Sequence, residues 1–340
     1  MSNKSKLTLA KLAQLAGVST STASRALNNN PLIKKATRER LQQLAQENNF
    51  SLNRAASRLR TQKTHVIAVI LNFINDTDQS ISDPFLLKVV SDVNQELNKH
   101  GYELLLSNSL MASDDWGNYF INSSRADGLI IIGQGKNDEK INTAAKSGAP
   151  LVVWGDPMVT SSYPIIGSDN NYGGYLATEH LIKGGCKHIL FLGDPEHAEM
   201  GQRHKGYTHA LNENDLDIEH QLTVSIDITS KAAYEKINQL ILEQGLFFDG
   251  IVAASDMVAL GALKALKERY INIPNDVAIV GFDDIAMAEL FHPALTTIRQ
   301  DTALAAKLMV EQLIKQFNQQ AVKSQTIDIK LINRNSSRTI

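Results

Sequence analysis

The apolar residues of the 340-residue chain change their spacing twice. Up to about residue 48 they recur at helical intervals: Leu9, Leu12, Ala13 and Ala16, then Ala23 and Leu27, then Leu41, Leu44 and Ala45. This spacing predicts three short amphipathic helices, the third over 36–48. From 53 to 64 the chain is polar and arginine-rich. From His65 the pattern becomes continuous β-branched and leucine runs at 66–71, 102–106, 128–132 and 151–154, separated by amphipathic stretches. After Asp169 the cycle repeats at 189–192, 223–226, 250–253 and 278–281. Runs of this kind, alternating with helices, predict parallel strands covered on both faces. Two successive doubly wound units predict two lobes, with a ligand crevice at the carboxyl ends of their strands.

Turn chemistry sharpens the picture at the amino end. Thr8 is placed to cap the first helix, Gly17 and Val18 turn the chain, and Ser19 is placed to cap the second helix. Two short helices joined by Ala16-Gly17-Val18-Ser19 make a helix-turn-helix. The second helix is the expected reader. Its short Thr20, Ser21, Thr22 and Ser24 side chains allow it deep into a major groove, and Arg25 is long enough to reach a guanine edge.

Charge supports the same function. Residues 1 to 63 hold twelve Lys and Arg and two acids, Glu39 and Glu47, so this segment carries +10 within a chain of net −2. Clustered cations of this density suit polyphosphate, which rewards them with counterion release. A hydrophobic content of 43% and a charged content of 21% indicate a globular protein. The first thirty residues show no leader-like apolar run, and no segment reaches membrane-spanning length. The single cysteine, Cys186, allows no internal disulfide and no cysteine-based zinc site. A cytoplasmic protein is expected.

The eight residues Asn53-Arg54-Ala55-Ala56-Ser57-Arg58-Leu59-Arg60 are too few for a helix stable on its own in water, which needs about 12–15 residues. They are expected to order on a partner. Small Ala55 and Ala56 allow close approach to a groove floor, the arginines meet phosphates, and Leu59 is placed to wedge between bases. The bland reading of this stretch is a solvated linker.

From Leu7 to Ile340 the chain resembles the lactose/galactose repressor (LacI/GalR) family of bacterial transcription regulators. The matching strings are Thr8-Leu9 through Ala16-Gly17-Val18-Ser19, then Thr22-Ala23-Ser24-Arg25-Ala26-Leu27-Asn28, then Asn53 to Leu59. The resemblance implies a small all-α helix-turn-helix head (1–52), a hinge helix and linker (53–64), and an α/β two-lobed periplasmic-binding-protein-like core (65–340). The core's first lobe is expected over about 65–167 plus 296–324, its second over about 168–294 plus 325–340. Thr20, Ser21 and Arg25 then look like base readers. Thr8, Ser19, Thr22, Ser24 and Asn28 look like positioning contacts. Asn53, Arg54, Ala56 and Leu59 look like minor-groove contacts. In the core, Asp283 matches the family's pocket acid and Arg203 its effector-binding arginine. Phe85, Trp154 and Asp156 fall near the cleft mouth, with Asp256 a weaker candidate in a helix-capping position. Ile228 stands where many relatives carry an aromatic ring, which favours a sugar over a purine.

The implied partners are palindromic operator DNA, a mono- or disaccharide effector and a second copy of the chain. The C-terminus lacks the leucine heptads of a tetramer. Enzyme signatures are weak: Gly133-Gln134-Gly135 lacks the third glycine of a dinucleotide loop, and His180 and His188 are isolated. No catalytic residue, cofactor or metal is expected. The competing class is a carbohydrate-binding or carbohydrate-modifying protein with an incidental basic head, or a regulator responding to a purine.

Overall fold

The computed structural model describes residues 7–27, 29–50, 63–73, 80–110, 113–135, 139–216 and 222–338. The chain divides into two compact units, Met1–Thr64 and His65–Ile340. No helix among the described residues is long and apolar enough to cross a membrane.

In the first unit, α1 (Leu9–Leu15), α2 (Thr20–Leu27) and α3 (Lys35–Glu47) close over Ala13, Ala16, Ala23, Ala26 and Leu41. Thr8 caps α1 by accepting from the Lys11 amide at 3.3 Å. At the other end of α1, Gly17 takes φ +63, and the amides of Gly17 and Val18 donate to Gln14 and Ala13. This is a Schellman turn, and it needs the left-handed residue that glycine supplies without a Cβ penalty.

In the second unit two sheets, each six-stranded among the described residues, are joined by three crossings. The first contains β1 (Val66–Leu71), β2 (Glu103–Asn108), β3 (Gly128–Ile132), β4 (Leu151–Trp154), β5 (Ile165–Ser168) and β11 (Gln325–Ile327), in the order β11-β5-β4-β3-β1-β2. The second contains β6 (Ile189–Leu192), β7 (Thr223–Val224), β8 (Gly250–Ala253), β9 (Ala278–Asp283), β10 (Thr296–Gln300) and β12 (Ile329–Ile332), in the order β12-β10-β9-β8-β6-β7. Along β1, Ile67, Val69 and Leu71 enter one core while Val66, Ala68 and Ile70 enter another. Period-two alternation with both faces apolar is what a sheet sandwiched by helices demands.

The helices are α4 (Pro84–Lys99), α5 (Glu139–Lys146), α6 (Asn170–Lys183), α7 (Ala198–Glu213), α8 (Ser230–Gln244), α9 (Asp256–Glu268) and α10 (Thr302–Phe317). α4 and α10 cover one face of the first sheet, packing Leu86, Val89, Val93, Met309 and Leu313 against it.

The sequence reading needs three corrections here. The segment 296–300, assigned to the first lobe, pairs with β9 and β12 in the second sheet. The segment 325–327, assigned to the second lobe, pairs with β5 in the first. Each segment is too short to declare its sheet by pattern, so long-range hydrogen bonds decide. The second sheet is also not wholly parallel, because β12 runs antiparallel to β10 at its edge.

Candidate functional site

In the first unit, Ser19 begins α2 and accepts from the Thr22 amide at 3.1 Å, so its hydroxyl serves the helix start. Its Oγ also lies 2.9 Å from both Ser21 Oγ and Thr22 Oγ1. Thr20, Ser21 and Arg25 are exposed, and Ser21 and Arg25 share one face of the helix at a spacing of four. Thr22 is half-buried. Ser24, expected in the exposed first turn, is buried at 5% exposure, because it turns with Ala23 and Leu27 toward the small core. Asn28, Asn53, Arg54, Ala56 and Leu59 lie outside the described residues.

In the second unit, a cavity lies beyond the carboxyl ends of the strands of both sheets. Asn72 and Phe73 follow β1, Gly133 follows β3, Trp154 ends β4, Ser255 follows β8 and Asp283 ends β9. Asp83 and Phe85 come from the start of α4, and His197, Glu199 and Arg203 from the first two turns of α7. The empty volume is about 680 Å³, open solvent at the mouth included. Small-molecule sites span roughly 300–1,000 Å³.

Arg203 and Asp283 face this cavity as expected, and each is held in place by other groups. Arg203 Nε donates to Asn170 Oδ1 at 2.9 Å, Nη1 donates to the Ala254 carbonyl, and the guanidinium sits 3.7 Å above the Phe282 ring. Asp283 Oδ1 accepts from Gln300 Nε2 at 2.8 Å. Asp283 also takes φ +124, a conformation that costs a non-glycine residue about 1–3 kcal/mol and is tolerated where function holds it. Burial pushes its carboxyl well above the ordinary carboxylate value, opposed by the Arg203 charge. Burial pulls the Arg203 guanidinium down, opposed by Asp283 and Glu199.

Phe85 and Trp154 line the same cavity with ring centroids 6.2 Å apart. Phe85 also packs against the cores of both lobes. Contacts cross the cleft nearby: the Gln134 amide donates to Glu199 Oε1 and the Ala198 amide to the Gly135 carbonyl, each at 3.3 Å. Gln134 and Gly135 therefore touch the second lobe through their backbone. Burial raises Glu199, but His197, 2.9 Å away, its own backbone amide and Arg203 outweigh burial and hold the carboxyl below its ordinary value.

Asp156 and Asp256 are not among the cavity-lining residues. Asp156 is buried beside Gln134, whose Oε1 accepts its amide at 2.6 Å, and its own Oδ1 accepts from the Met158 amide at 3.0 Å. Asp256 is 0% exposed, accepting from Thr297 Oγ1 and from the Ile285 amide at 2.9 Å. The cap of α9 is its neighbour Ser255, which accepts from the Val258 amide at 3.2 Å and does line the cavity.

Burial pushes the Asp256 carboxyl up to about 7. An unfolded aspartate releases its proton near 3.9. Between those values the folded chain holds a proton that the unfolded chain has lost, so this group makes stability fall as pH rises from about 4 to about 7. Asp256→Asn should flatten that part of the stability profile, measured as urea midpoints from pH 4 to 8. It should also cost about 1–3 kcal/mol, because one of the two oxygens that accept from Thr297 and Ile285 becomes an NH2 group, which only donates. A profile with an unchanged slope would refute this assignment.

Asn72, Asp83, His197, Glu199 and Ser255 were not singled out from the sequence. Asp83 before Pro84, and Ser255 before an apolar helix, carry helix-start signals that could have marked them. Nothing local marks Asn72 or Glu199. Among the described residues, no cluster of His, Cys, Asp and Glu could hold a metal ion. His180, read as isolated, is buried with Nε2 2.8 Å from Ser337 Oγ.

Residues 8–53 match the family model for bacterial regulatory proteins of the lacI family, and residues 178–337 match that for a periplasmic binding protein-like domain. The HTH-type transcriptional regulator RegA of Clostridium saccharobutylicum is 30% identical over 332 residues, covering 96% of this chain and 98% of its own. Among solved structures, a complex of the transcriptional regulator CelR with cellobiose aligns with a TM-score of 0.73 at 26% identity, over 97% of this chain and 99% of its own. The lac repressor dimer bound to operator and the anti-inducer ONPF aligns with a TM-score of 0.82, over 98% of this chain and 100% of its own. At 24% identity that last likeness speaks to fold alone. These relatives are transcriptional regulators and not enzymes.

Proposed function

The chain belongs to the lacI family of bacterial regulatory proteins, DNA-binding transcriptional regulators, and from that premise we propose that it represses a carbohydrate-utilisation operon. In this reading a mono- or disaccharide held between the lobes changes operator affinity. The observation that carries it is the cavity itself. A guanidinium and carboxylates converge there with the rings of Phe73, Phe85 and Trp154. Charged groups take paired hydroxyls by charge-assisted hydrogen bonds, and the aromatic faces take the apolar face of a sugar ring. Ile228, an aliphatic side chain, also lines the cavity and offers no stacking surface to a flat purine. The cellobiose bound by CelR is a precedent within the family for a sugar as ligand.

On DNA, a homodimer sets the two copies of α2 in successive major grooves of a palindromic operator. Thr20, Ser21 and Arg25 read bases, while Thr8, Ser19 and Thr22 fix the helix ends. The paired segments around Asn53 to Leu59 enter the minor groove. Support for the homodimer comes from three exposed leucines: Leu87 on α4, Leu106 on edge strand β2 and Leu110 just beyond it. Sugar binding rotates one lobe against the other about the three crossings, with a coupling of about 1–3 kcal/mol, or 5 to 150-fold.

The test is fluorescence anisotropy on an operator selected from random DNA, alongside melting shifts with a sugar panel. Arg25→Ala should weaken specific binding by about 1–3 kcal/mol and leave the sugar-induced shift intact. Operator binding that survives Arg25→Ala at full strength removes Arg25 from base reading. A melting shift confined to purines removes the sugar.

A further inference from the structure

Among the described residues three helices begin at the cavity, and side chains cap two of them. Asp83 caps the 16-residue α4, with Oδ1 accepting from the Phe85 amide at 2.8 Å and the Leu86 amide at 3.3 Å. The first turn of the 16-residue α7 carries Glu199, whose carboxylate lies beside His197. Ser255 caps the 13-residue α9. A helix N-terminus is otherwise a ready site for a phosphate or carboxylate, since its free amides and dipole favour negative charge. Here side-chain oxygens cap α4 and α9, while at α7, which has no side-chain cap, the Ala198 amide donates to the Gly135 carbonyl and Glu199 adds a negative charge to the first turn.

The charges lining the cavity tell the same way. Among the described residues, Asp83 comes from the first lobe and Glu199 and Asp283 from the second, against the guanidinium of Arg203 and a histidine paired to Glu199. Two of the three nitrogens of Arg203 already serve Asn170 and Ala254. An incoming anion would meet three carboxylates beside a guanidinium already bonded to Asn170 and Ala254.

Carboxylate oxygens in a closing cavity need donors, because an ionised carboxylate only accepts. Hydroxyl or ammonium groups supply donors, whereas a phosphate or uronate supplies further acceptors and further negative charge. Asp83 and Asp283 reach the cavity from opposite lobes, so closure without donors brings like charges together. A ligand that donates to both relieves that repulsion and favours the closed lobes.

We infer that the effector is an uncharged or amino-bearing sugar, not a phosphorylated or carboxylated one, and that Asp83 enforces this choice from the first lobe. The inference rests on the sugar reading above and makes it more specific.

The test uses the full chain and sets built on glucose, galactose and mannose: the parent sugar, its 6-phosphate, its uronate and its 2-amino form. Maltose, cellobiose and their 6′-phosphates complete the panel. Melting shifts find the scaffold, and calorimetry then gives its affinities. Within the responding set, the phosphate and uronate should bind roughly a hundredfold more weakly than the parent, since juxtaposed like charges cost several kcal/mol. Asp83→Asn retains a good helix cap, so its unliganded melting temperature should stay near wild type. The variant should narrow the gap to roughly tenfold or less. A phosphate or uronate that binds as tightly as its parent overturns the inference and leaves the sugar reading standing. A gap unchanged in Asp83→Asn, with normal melting, overturns the role of Asp83. No shift with any sugar in any charge state overturns the sugar reading itself.

Discussion

Arg203→Ala lowers the unfolding free energy of the 65–340 core by about 3–5 kcal/mol and abolishes the response to effector. That is the range for removing one partner from a buried charge network, where the remaining charge loses its compensation. The guanidinium is buried, donates to Asn170 and Ala254, stacks on Phe282 and lies among Asp283, Glu199, Asp256 and Asp156. Alanine leaves two buried acceptors unserved and a carboxylate already raised by burial with no cation to oppose it.

The deficit should shrink on acidification. Without Arg203 the folded-state value of Asp283 rises further, so the variant binds a proton on folding over a wider pH range. Urea unfolding followed from pH 5 to pH 9 measures both effects. Arg203→Lys should fall between wild type and alanine, because an ammonium keeps the charge but loses the planar stack and the fork of donors. A deficit below 1 kcal/mol at pH 7 would show that the network does not depend on this residue.

Gly206→Ala is expected to cost about 3 kcal/mol, at the upper end of overpacking penalties. α6 and α7 cross with their backbones in contact. A Cβ on Gly206 would lie 1.9 Å from the Asn171 carbonyl oxygen and 2.6 Å from the Tyr175 amide nitrogen. Reciprocally, a Cβ on Gly174 would lie 1.9 Å from the Arg203 carbonyl oxygen. Both obstacles are backbone, so relief requires the helices to part. α7 carries Arg203 one turn before Gly206, and the same shift should therefore weaken effector binding as well as the fold. Lys205→Ala, at an exposed position on the same helix, should stay within about 0.5 kcal/mol of wild type. Denaturation midpoints and effector titrations of the two variants test the crossing. Equal stability of Gly206→Ala and Lys205→Ala would exclude a rigid α6–α7 contact.

The parts legible in the sequence were those set by near neighbours. Thr8, Gly17 and Ser19 act within four residues of themselves, so their turn and cap chemistry reads directly from the string. The runs at 66–71, 128–132, 151–154, 189–192 and 250–253 are apolar on both faces, and a strand buried on both sides has no other composition available. Arg203, Asp283, Phe85 and Trp154 were named through resemblance and do line one cavity.

What the string left open depended on distance. Ser24 reads as a surface hydroxyl, but the third helix closes over its side of α2. Asp156 and Asp256 carry the same charge as Asp283, yet Gln134, Thr297 and Ile285 lie against them in the interior. By itself, then, the sequence determined the helix-turn-helix, the two strand–helix cycles and the charge asymmetry, because each follows from local spacing and composition. Only the tertiary structure decided which sheet receives 296–300 and 325–327, and that the starts of α4, α7 and α9 meet at one cavity, two of them capped by Asp83 and Ser255. Groups from Asn72 to Asp283 converge there only after both sheets have packed. That convergence is set by packing between residues more than two hundred positions apart, which no local pattern encodes.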